Sequence, residues 1–206
     1  MCAISPETVT GLIFAGGRAT RMGGVNKALV AFEGQALLSH VVGCIKPQTS
    51  ALVLSANRDA EVLLRLVPGS LVIPDLSQDR PGPLAALESA SASERIQTEW
   101  VLTAPCDAPL LPKNLVEIFA KAQTKAYEEG SDPDAFVACA GGYFQSAVAC
   151  VRTRRLKEAS ALLAKGEHRL RRFYEALGCV PVAFPEEQAF TNFNTIEEIQ
   201  TVEKKL

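Results

Sequence analysis

The sequence predicts an α/β fold with a doubly wound, mostly parallel (mixed) sheet and helices on both faces. Short apolar segments alternate with stretches of helical periodicity, as in successive βαβ units. The apolar segments are continuous rather than alternating, which indicates strands covered on both faces. A length of 206 residues, with 48% hydrophobic and 21% charged residues, suits one compact domain spanning residues 1–206.

The first half of the chain contains four predicted strands, and helices separate them. The predicted strands are residues 9–15, 51–55, 71–73 and 100–104. The predicted helices are residues 37–45, residues 59–66, a segment that opens at Gly82-Pro83, and residues 115–122. Pro83 suits the first helical position, because an N–H group there has no partner within the helix.

The second half departs from this alternation. Two apolar runs flank Gly141-Gly142 and predict a hairpin-like pair, which should bring an antiparallel strand into the sheet. Two helices, a strand at residues 179–184 and a final helix follow. Thr195 and Glu198 have the spacing of a capping box, which marks the start of the final helix.

Composition excludes several classes of protein. A formal charge of -2 and a pI near 5.8 argue against a nucleic-acid partner. The apolar runs are far shorter than the ~20 residues of a membrane span, and the first residues do not resemble a secretory leader. Six cysteines without a C-x-x-C pair predict reduced thiols, and two histidines leave few candidates for a histidine-rich metal site. We therefore expect a cytoplasmic protein that binds no membrane.

A glycine-rich loop follows the first predicted strand. Because ligands of open α/β sheets bind beyond the carboxyl ends of strands, residues 16–27 (GGRATRMGGVNK) are the first candidate site. Glycines can expose backbone N–H groups to a phosphate, and Arg18, Arg21 and Lys27 lie within the same loop. The loop matches neither the Walker A nor the G-x-G-x-x-G pattern. We predict an anion-binding loop, with a merely mobile glycine turn as the alternative.

Asp107 lies between Pro105 and Pro109, shortly after the strand at residues 100–104. A rigidly placed carboxylate suits Mg²⁺, which takes one or two carboxylates together with substrate phosphates. A turn-stabilising role is the alternative. As a metal ligand, Asp107 should have no strong partner in the ligand-free protein. Cys106 has no histidine positioned to activate it, so we expect a structural thiol.

Two further segments carry weaker signals. Asp75 follows the third predicted strand, and Gly82 opens the next helix, where a helix N-terminus could meet an anion or a base edge. Helix punctuation explains Gly82 equally well. Asn192 and Asn194 in FTNFNT point the same way if the backbone is extended, and an ordinary helix cap is the alternative.

Together and in this order, these segments resemble the molybdenum cofactor guanylyltransferases, relatives of the sugar-nucleotide pyrophosphorylases. The resemblance is carried by AGGRATRMGGVNK, DRPGPLAAL, PCDAPLLP and FTNFNT. It implies a Rossmann-like nucleotidyltransferase fold and an enzyme that, with Mg²⁺, joins GMP from GTP to the phosphate of Mo-loaded molybdopterin and releases pyrophosphate. The implied partners are GTP, molybdopterin and the molybdoenzymes or chaperones that receive the product.

The resemblance also implies roles for individual residues. Arg21 and Lys27 would contact phosphates and Asp107 would hold the metal, which makes these three the implied catalytic residues. Asn57 and Asp75 would lie near guanine and ribose. The complete implied binding set is Leu12, Ala15, Gly16, Gly17, Lys27, Asn57, Asp75, Gly82, Asn192 and Asn194.

Three positions depart from the family pattern. Asn26 stands where the family often has Asp, Ala86 replaces a Gly, and Phe144-Gln145 occupies the place of a His-Pro pair. The first departure concerns nucleotide contacts, and the other two concern the expected pterin side.

Other functions remain open. The nearest are another nucleotidyltransferase, either a molybdopterin cytidylyltransferase or a sugar-phosphate nucleotidyltransferase, and a non-catalytic cofactor-carrier module. Gly16 stands where cytidylyltransferases usually have Ala, which favours guanine. Lys27 and Asp107 together speak against a carrier, because binding alone needs no metal carboxylate.

Overall fold

The computed structural model describes residues 2–16, 26–76 and 82–204. The strands are β1 (Val9–Phe14), β2 (Ala31–Phe32), β3 (Gln35–Ala36), β4 (Ala51–Ser55), β5 (Leu71–Ile73), β6 (Trp100–Pro105), β7 (Ala135–Ala140), β8 (Tyr143–Arg152) and β9 (Val180–Phe184). The α-helices are α1 (Leu37–Ile45), α2 (Ala60–Leu66), α3 (Pro83–Ala92), α4 (Leu115–Glu128), α5 (Glu158–Ala164), α6 (Leu170–Ala176) and α7 (Ile196–Glu203).

The central sheet has seven strands in the order β5-β4-β1-β6-β8-β7-β9. β1 pairs in parallel with β4 and β6, and β4 pairs in parallel with β5. β8 is antiparallel to both β6 and β7, whereas β9 is parallel to β7. The predicted α/β class and the mixed, mostly parallel sheet are therefore confirmed, and β8 is the antiparallel strand.

Helices cover both faces of the sheet, which explains the continuous apolar strands. Adjacent β1 residues Leu12 and Ile13 point to opposite faces, and both are fully buried. Leu12 packs in a core that includes Leu87 of α3 and Phe173 of α6, whereas Ile13 belongs to a core that includes Phe119 of α4. Alternation of polar and apolar residues is absent because β1 has no solvent-facing side.

Three predicted strand boundaries differ from the structure by one residue, and two helix boundaries also differ, because α2 begins at Ala60 rather than at Asp59 and α4 extends to Glu128 rather than to Ala122. β1 ends at Phe14 rather than at Ala15, β6 includes Pro105, and β9 begins at Val180 rather than at Cys179. Backbone pairing sets these limits: Phe14 pairs with Pro105, and Val180 pairs with Phe136. Hydropathy cannot distinguish the last residue of a strand from a buried residue just beyond it.

The predicted helix starts and hairpin are also found. Pro83 is the first residue of α3, and Gly82 before it has φ 143°, a conformation that favours glycine. Thr195 and Glu198 form the predicted capping box at α7. Gly141-Gly142 joins β7 to β8 with positive φ at both residues. Within the described residues, no helix has the length and apolar character required to cross a membrane.

Candidate active site

A cleft of about 440 Å³ lies at the carboxyl ends of the parallel strands β1, β4 and β6. This is the sheet edge at which the sequence predicts ligand binding. The lining residues come from strand ends, the loops beyond them, the start of α3 and the antiparallel strand β8. They are Phe14, Gly16, Lys27, Ser55, Asp75, Gly82, Pro83, Ala86, Pro105, Cys106, Asp107, Ala147 and Asn192.

Most of the predicted site residues are at this cleft. Those that line it directly are Gly16, Lys27, Asp75, Gly82, Asp107 and Asn192. Asn57 and Asn194 adjoin it, because Asn57 hydrogen bonds to Asp75 and Asn194 hydrogen bonds to Lys27. Gly17 and Arg21 lie outside the described residues.

Leu12 and Ala15 are placed differently from the prediction. The Leu12 side chain is fully buried in the core, and its strand is paired on both edges, so the structure does not bring Leu12 to the cleft. Ala15 is also buried, and its N–H donates to the Ser55 carbonyl over 2.9 Å. Phe14 reaches the cleft instead. The sequence signal that could have found it is its position two residues before Gly16, at the carboxyl end of β1.

Lys27 and Asp107 form an ion pair at the cleft. Lys27 Nζ contacts Asp107 Oδ2 and also donates to Asn194 Oδ1 over 2.8 Å. Each side chain of the pair is only 15% exposed. The expectation that Asp107 has no strong partner is therefore wrong. Both side chains are largely shielded from water, so each charge needs a partner of opposite charge. The charge-assisted hydrogen bond between Lys27 and Asp107 provides it.

The segment before α7 is anchored to the site from two sides. Phe193 N donates to the Asp107 carbonyl over 2.8 Å, and the fully buried Phe193 ring packs edge-on against Phe32 with 5.0 Å between centroids. Asn194 N donates to Glu198 Oε2 over 2.6 Å within the cap of α7. These contacts fix the backbone of Asn194 beside Lys27.

The hydrogen bonds of the Asn26 side chain explain why this chain has Asn rather than Asp before Lys27. Its Oδ1 accepts from Ala28 N over 3.1 Å and caps the short 3-10 helix Lys27–Leu29, while its Nδ2 donates to Asp59 Oδ2 over 2.8 Å. An aspartate at position 26 would place a second carboxylate against Asp59. The amide is therefore complementary to this chain's own Asp59.

Asn57 and Asp75 hold each other at the opposite wall. Asn57 Nδ2 donates to Asp75 Oδ2 over 2.8 Å, and Asp75 N donates to Asn57 Oδ1 over 2.7 Å. Partial burial raises the pKa of the Asp75 carboxyl, while hydrogen bonds from Asn57, Ser55 and the Gly82 backbone act in the opposite direction. The result is a carboxylate acceptor of fixed orientation that faces the cleft.

Other cleft residues have simpler roles. Burial raises the pKa of the Cys106 thiol to about 12, and the neighbouring Asp107 carboxylate adds to the shift. Cys106 therefore stays a thiol at neutral pH and has the chemistry of a structural residue. Ala86 also lines the cleft. Because Ala stands here in place of the family's Gly, its methyl group makes the cleft narrower at this position. Phe144 is not among the residues that line the cleft; its ring centroid lies 5.1 Å from the Arg171 guanidinium, in a cation–π contact.

The Asp107 carboxylate fits the predicted Mg²⁺. Among the described residues, no group of three or more His, Cys, Asp or Glu side chains is placed to hold a metal. Asp107 lines the cleft and offers one carboxylate, and Asn194 beside it offers an amide oxygen. Mg²⁺ at nucleotide sites takes such a donor set and completes its coordination with phosphate oxygens and water.

Sequence comparison places these features in a known family. A family model described as a MobA-like NTP transferase domain matches residues 11–181. The chain belongs to this family. As a MobA-like NTP transferase it is a nucleotidyltransferase enzyme. It is 38% identical over 197 residues to a molybdenum cofactor guanylyltransferase of Photobacterium profundum, covering 95% of this chain and 96% of that protein. It is 35% identical over 207 residues to the enzyme of the same description from Polynucleobacter asymbioticus, covering 98% and 100%.

Solved structures support the fold of this MobA-like NTP transferase. A molybdopterin-guanine dinucleotide biosynthesis protein A from Archaeoglobus fulgidus superposes with a TM-score of 0.69 at 19% identity, covering 95% of this chain and 97% of that one. A 4-diphosphocytidyl-2C-methyl-D-erythritol synthase from Anaerococcus prevotii gives 0.68 at 13% identity, covering 97% and 98%. At these identities the likeness concerns the fold alone, and it confirms the predicted nucleotidyltransferase fold.

Proposed function

We propose that this MobA-like NTP transferase transfers GMP from GTP to the phosphate of Mo-loaded molybdopterin. The products are the guanine dinucleotide form of the molybdenum cofactor and pyrophosphate. The description shared by relatives that match it over nearly their whole length supports this assignment. The structural observation that carries it is the meeting of Lys27, Asp107 and Asn194 at the cleft. We also propose that residues 1–206 act as one domain, in the cytoplasm.

The proposed reaction needs charge neutralisation and positioning more than covalent chemistry. An acceptor phosphate oxygen attacks the α-phosphorus of GTP, and the bond to the bridging oxygen of pyrophosphate breaks. The acceptor phosphate is already ionised near neutral pH, so the enzyme needs no Ser, Cys or His nucleophile. Lys27 supplies a positive charge for the phosphates. Asp107 would hold Mg²⁺, which when bound supplies Lewis-acid stabilisation of phosphate charge.

The pair formed by Asn57 and Asp75 supports a guanine base. The Watson–Crick edge of guanine carries two neighbouring N–H donors, whereas the corresponding edge of cytosine carries acceptors and one amino donor. A carboxylate that is held in place by Asn57 and faces the cleft can accept from the guanine donors. The same carboxylate would repel the acceptor atoms of cytosine.

Turnover of different nucleotides tests the proposed function. We expect pyrophosphate release to require molybdopterin as well as a nucleotide, and to be fastest with GTP when GTP, CTP and UTP are compared. Omission of molybdopterin is the control for hydrolysis. Preference for CTP would instead identify a cytidylyltransferase. Binding of cofactor without pyrophosphate release with any nucleotide would identify a carrier module.

Replacing Lys27 by Ala should weaken GTP binding by about 1.5–3 kcal/mol, roughly ten- to a hundredfold, because a charge-assisted contact with phosphate is lost. Isothermal titration calorimetry measures the effect directly. Lys121→Ala is the matched control, since Lys121 forms an exposed ion pair with Glu117 on α4, away from the cleft. Equal GTP affinity for Lys27→Ala and the wild type would contradict the phosphate-binding role.

A further inference from the structure

We propose that Lys27 occupies the place of the divalent cation in the ligand-free protein, so that the metal site at Asp107 forms only when nucleotide draws Lys27 away. This inference rests on the proposed nucleotidyl transfer, and it deepens it by ordering two binding events. It concerns the two positions that a single lysine side chain adopts, one on Asp107 and one on phosphate.

The contacts of Lys27 are those that a hard cation would make. Its ammonium group contacts one carboxylate oxygen, Asp107 Oδ2, and one amide oxygen, Asn194 Oδ1 at 2.8 Å. Carboxylate and amide oxygens are also the protein ligands of Mg²⁺ and Mn²⁺. With both side chains of the pair 15% exposed, little water separates the charges. A divalent cation bound to Asp107 would therefore meet the positive charge of Lys27 at short range.

The surrounding structure keeps the backbones of Asp107 and Asn194 in place while Lys27 changes partner. Asn194 is held through its backbone by Glu198, and Asp107 is held through its carbonyl by Phe193. Neither anchor involves the Lys27 side chain. The backbone of Lys27 begins a short 3-10 helix that Asn26 caps, so a change of partner requires rotation of the side chain alone. The two residues that supply the oxygens therefore stay beside the position of the ammonium group when Lys27 leaves it, and a cation can take that position.

Nucleotide phosphate supplies the reason for Lys27 to leave. A triphosphate offers several anionic oxygens to the ammonium group, and it brings a metal ion with it. Transfer of Lys27 to phosphate removes the repulsion at Asp107 and exposes its carboxylate to that metal. Nucleotide and metal should therefore bind with positive coupling, each raising the affinity of the protein for the other. In the absence of nucleotide, the ion pair disfavours binding of a free cation.

Binding of Mn²⁺ alone tests this inference, with electron paramagnetic resonance as the readout of free ion. We expect weak binding to the wild type without nucleotide, and affinity at least about tenfold higher for Lys27→Met, because the competing cation is removed. Lys27→Gln is a second variant that keeps a polar side chain without the charge. The matched control is Lys121→Met, which removes a lysine from an exposed pair and should leave Mn²⁺ affinity unchanged.

The double variant Lys27→Met/Asp107→Asn locates the gained site and should lose the added affinity. Equal Mn²⁺ affinity for the wild type and both folded Lys27 variants would overturn the inference, as would a gain that survives Asp107→Asn. The titration contains neither nucleotide nor pterin, so its result does not depend on which base or acceptor the enzyme uses. A gain in Mn²⁺ affinity together with failure of GTP turnover would uphold the cation position and overturn the proposed function.

Discussion

Asp107→Asn should lower the rate of Mg²⁺-dependent pyrophosphate release by about two orders of magnitude or more, on the order of 3 kcal/mol of transition-state stabilisation. The substitution keeps the shape of the side chain but removes the negative charge that would hold the metal. The amide oxygen of Asn can still accept from Lys27, and the main-chain carbonyl can still accept from Phe193 N. Because the lost charge belongs to a pair that is only 15% exposed, the free energy of unfolding should fall, but by no more than about 3 kcal/mol.

The rate of turnover separates the two roles of Asp107. If Asp107 only stabilised the turn between Pro105 and Pro109, Asn would be tolerated in catalysis. Turnover and thermal unfolding should be measured on the same preparation. Glu117→Gln is the control, because it removes a carboxylate from an exposed pair on α4. Turnover near the wild-type value in Asp107→Asn would contradict the metal-ligand role.

The architecture of the sheet could be predicted because its signals are local. Continuous apolar segments separated by helices indicated parallel strands covered on both faces, and β1 and β6 are indeed buried on both. The capping box at Thr195 and Glu198 depends on residues three positions apart. Such patterns depend on residues that are close together in the chain, so they can be recognised in a single sequence.

The partnerships within the site could not be predicted in the same way. Lys27 meets Asp107 across 80 positions and Asn194 across 167 positions. Nothing local to Asp107 shows that a lysine will neutralise it, which is why the expectation of an unpaired carboxylate was wrong. Asn26 is a further case of a distant partner. Its departure from the family pattern is explained by the hydrogen bond to Asp59, which lies 33 positions away.

Burial on both faces also hid which residues reach the cleft. Leu12 and Phe14 lie in the same buried strand, and hydropathy does not distinguish them. Their distance from the carboxyl end does, because ligands bind beyond that end. Ala147 was missed for another reason: β8 runs against its neighbours, so the first half of β8 lies at the same edge as the ends of the parallel strands. The Phe144-Gln145 departure lies in this half of β8.

A second cluster of charged residues lies away from the cleft, and we expect its loss to lower the stability of the protein strongly. The Arg152 side chain at the end of β8 is 4% exposed. It donates to Glu99 Oε1 and to Asp132 Oδ1, each over 2.6 Å, and approaches Asp134 Oδ1 at 3.5 Å. Its guanidinium lies 4.5 Å from the centroid of the Trp100 ring. Trp100 is the first residue of β6, and the last residue of β6 lines the cleft. The Arg152 cluster therefore lies at the opposite end of the strands from the cleft.

Arg152→Met should lower the free energy of unfolding by about 3 kcal/mol, because several carboxylates lose their shared cation. The value is at the lower end for a broken buried pair, since Glu99 and Asp132 are each 39% exposed and keep part of their hydration. Below the melting temperature, kcat and KM for pyrophosphate release should not change. Arg65→Met is the control, because Arg65 pairs with Glu61 at the surface of α2 and should contribute less than about 1 kcal/mol.

The pH dependence of this loss identifies its electrostatic origin. Desolvation acts to raise the pKa of Asp132, but the hydrogen bonds from Arg152 and Tyr127, together with the charges of Arg152 and Arg154, outweigh it and hold that pKa below its ordinary value. A carboxyl whose pKa is lowered by folding stabilises the protein at pH above its unfolded pKa, and this contribution is lost as pH falls through the folded pKa. The difference in unfolding free energy between wild type and Arg152→Met should therefore be largest near neutral pH and shrink below about pH 4. Denaturant titrations across this range measure it, and a difference that is independent of pH would show that Arg152 stabilises the protein through packing on Trp100 instead.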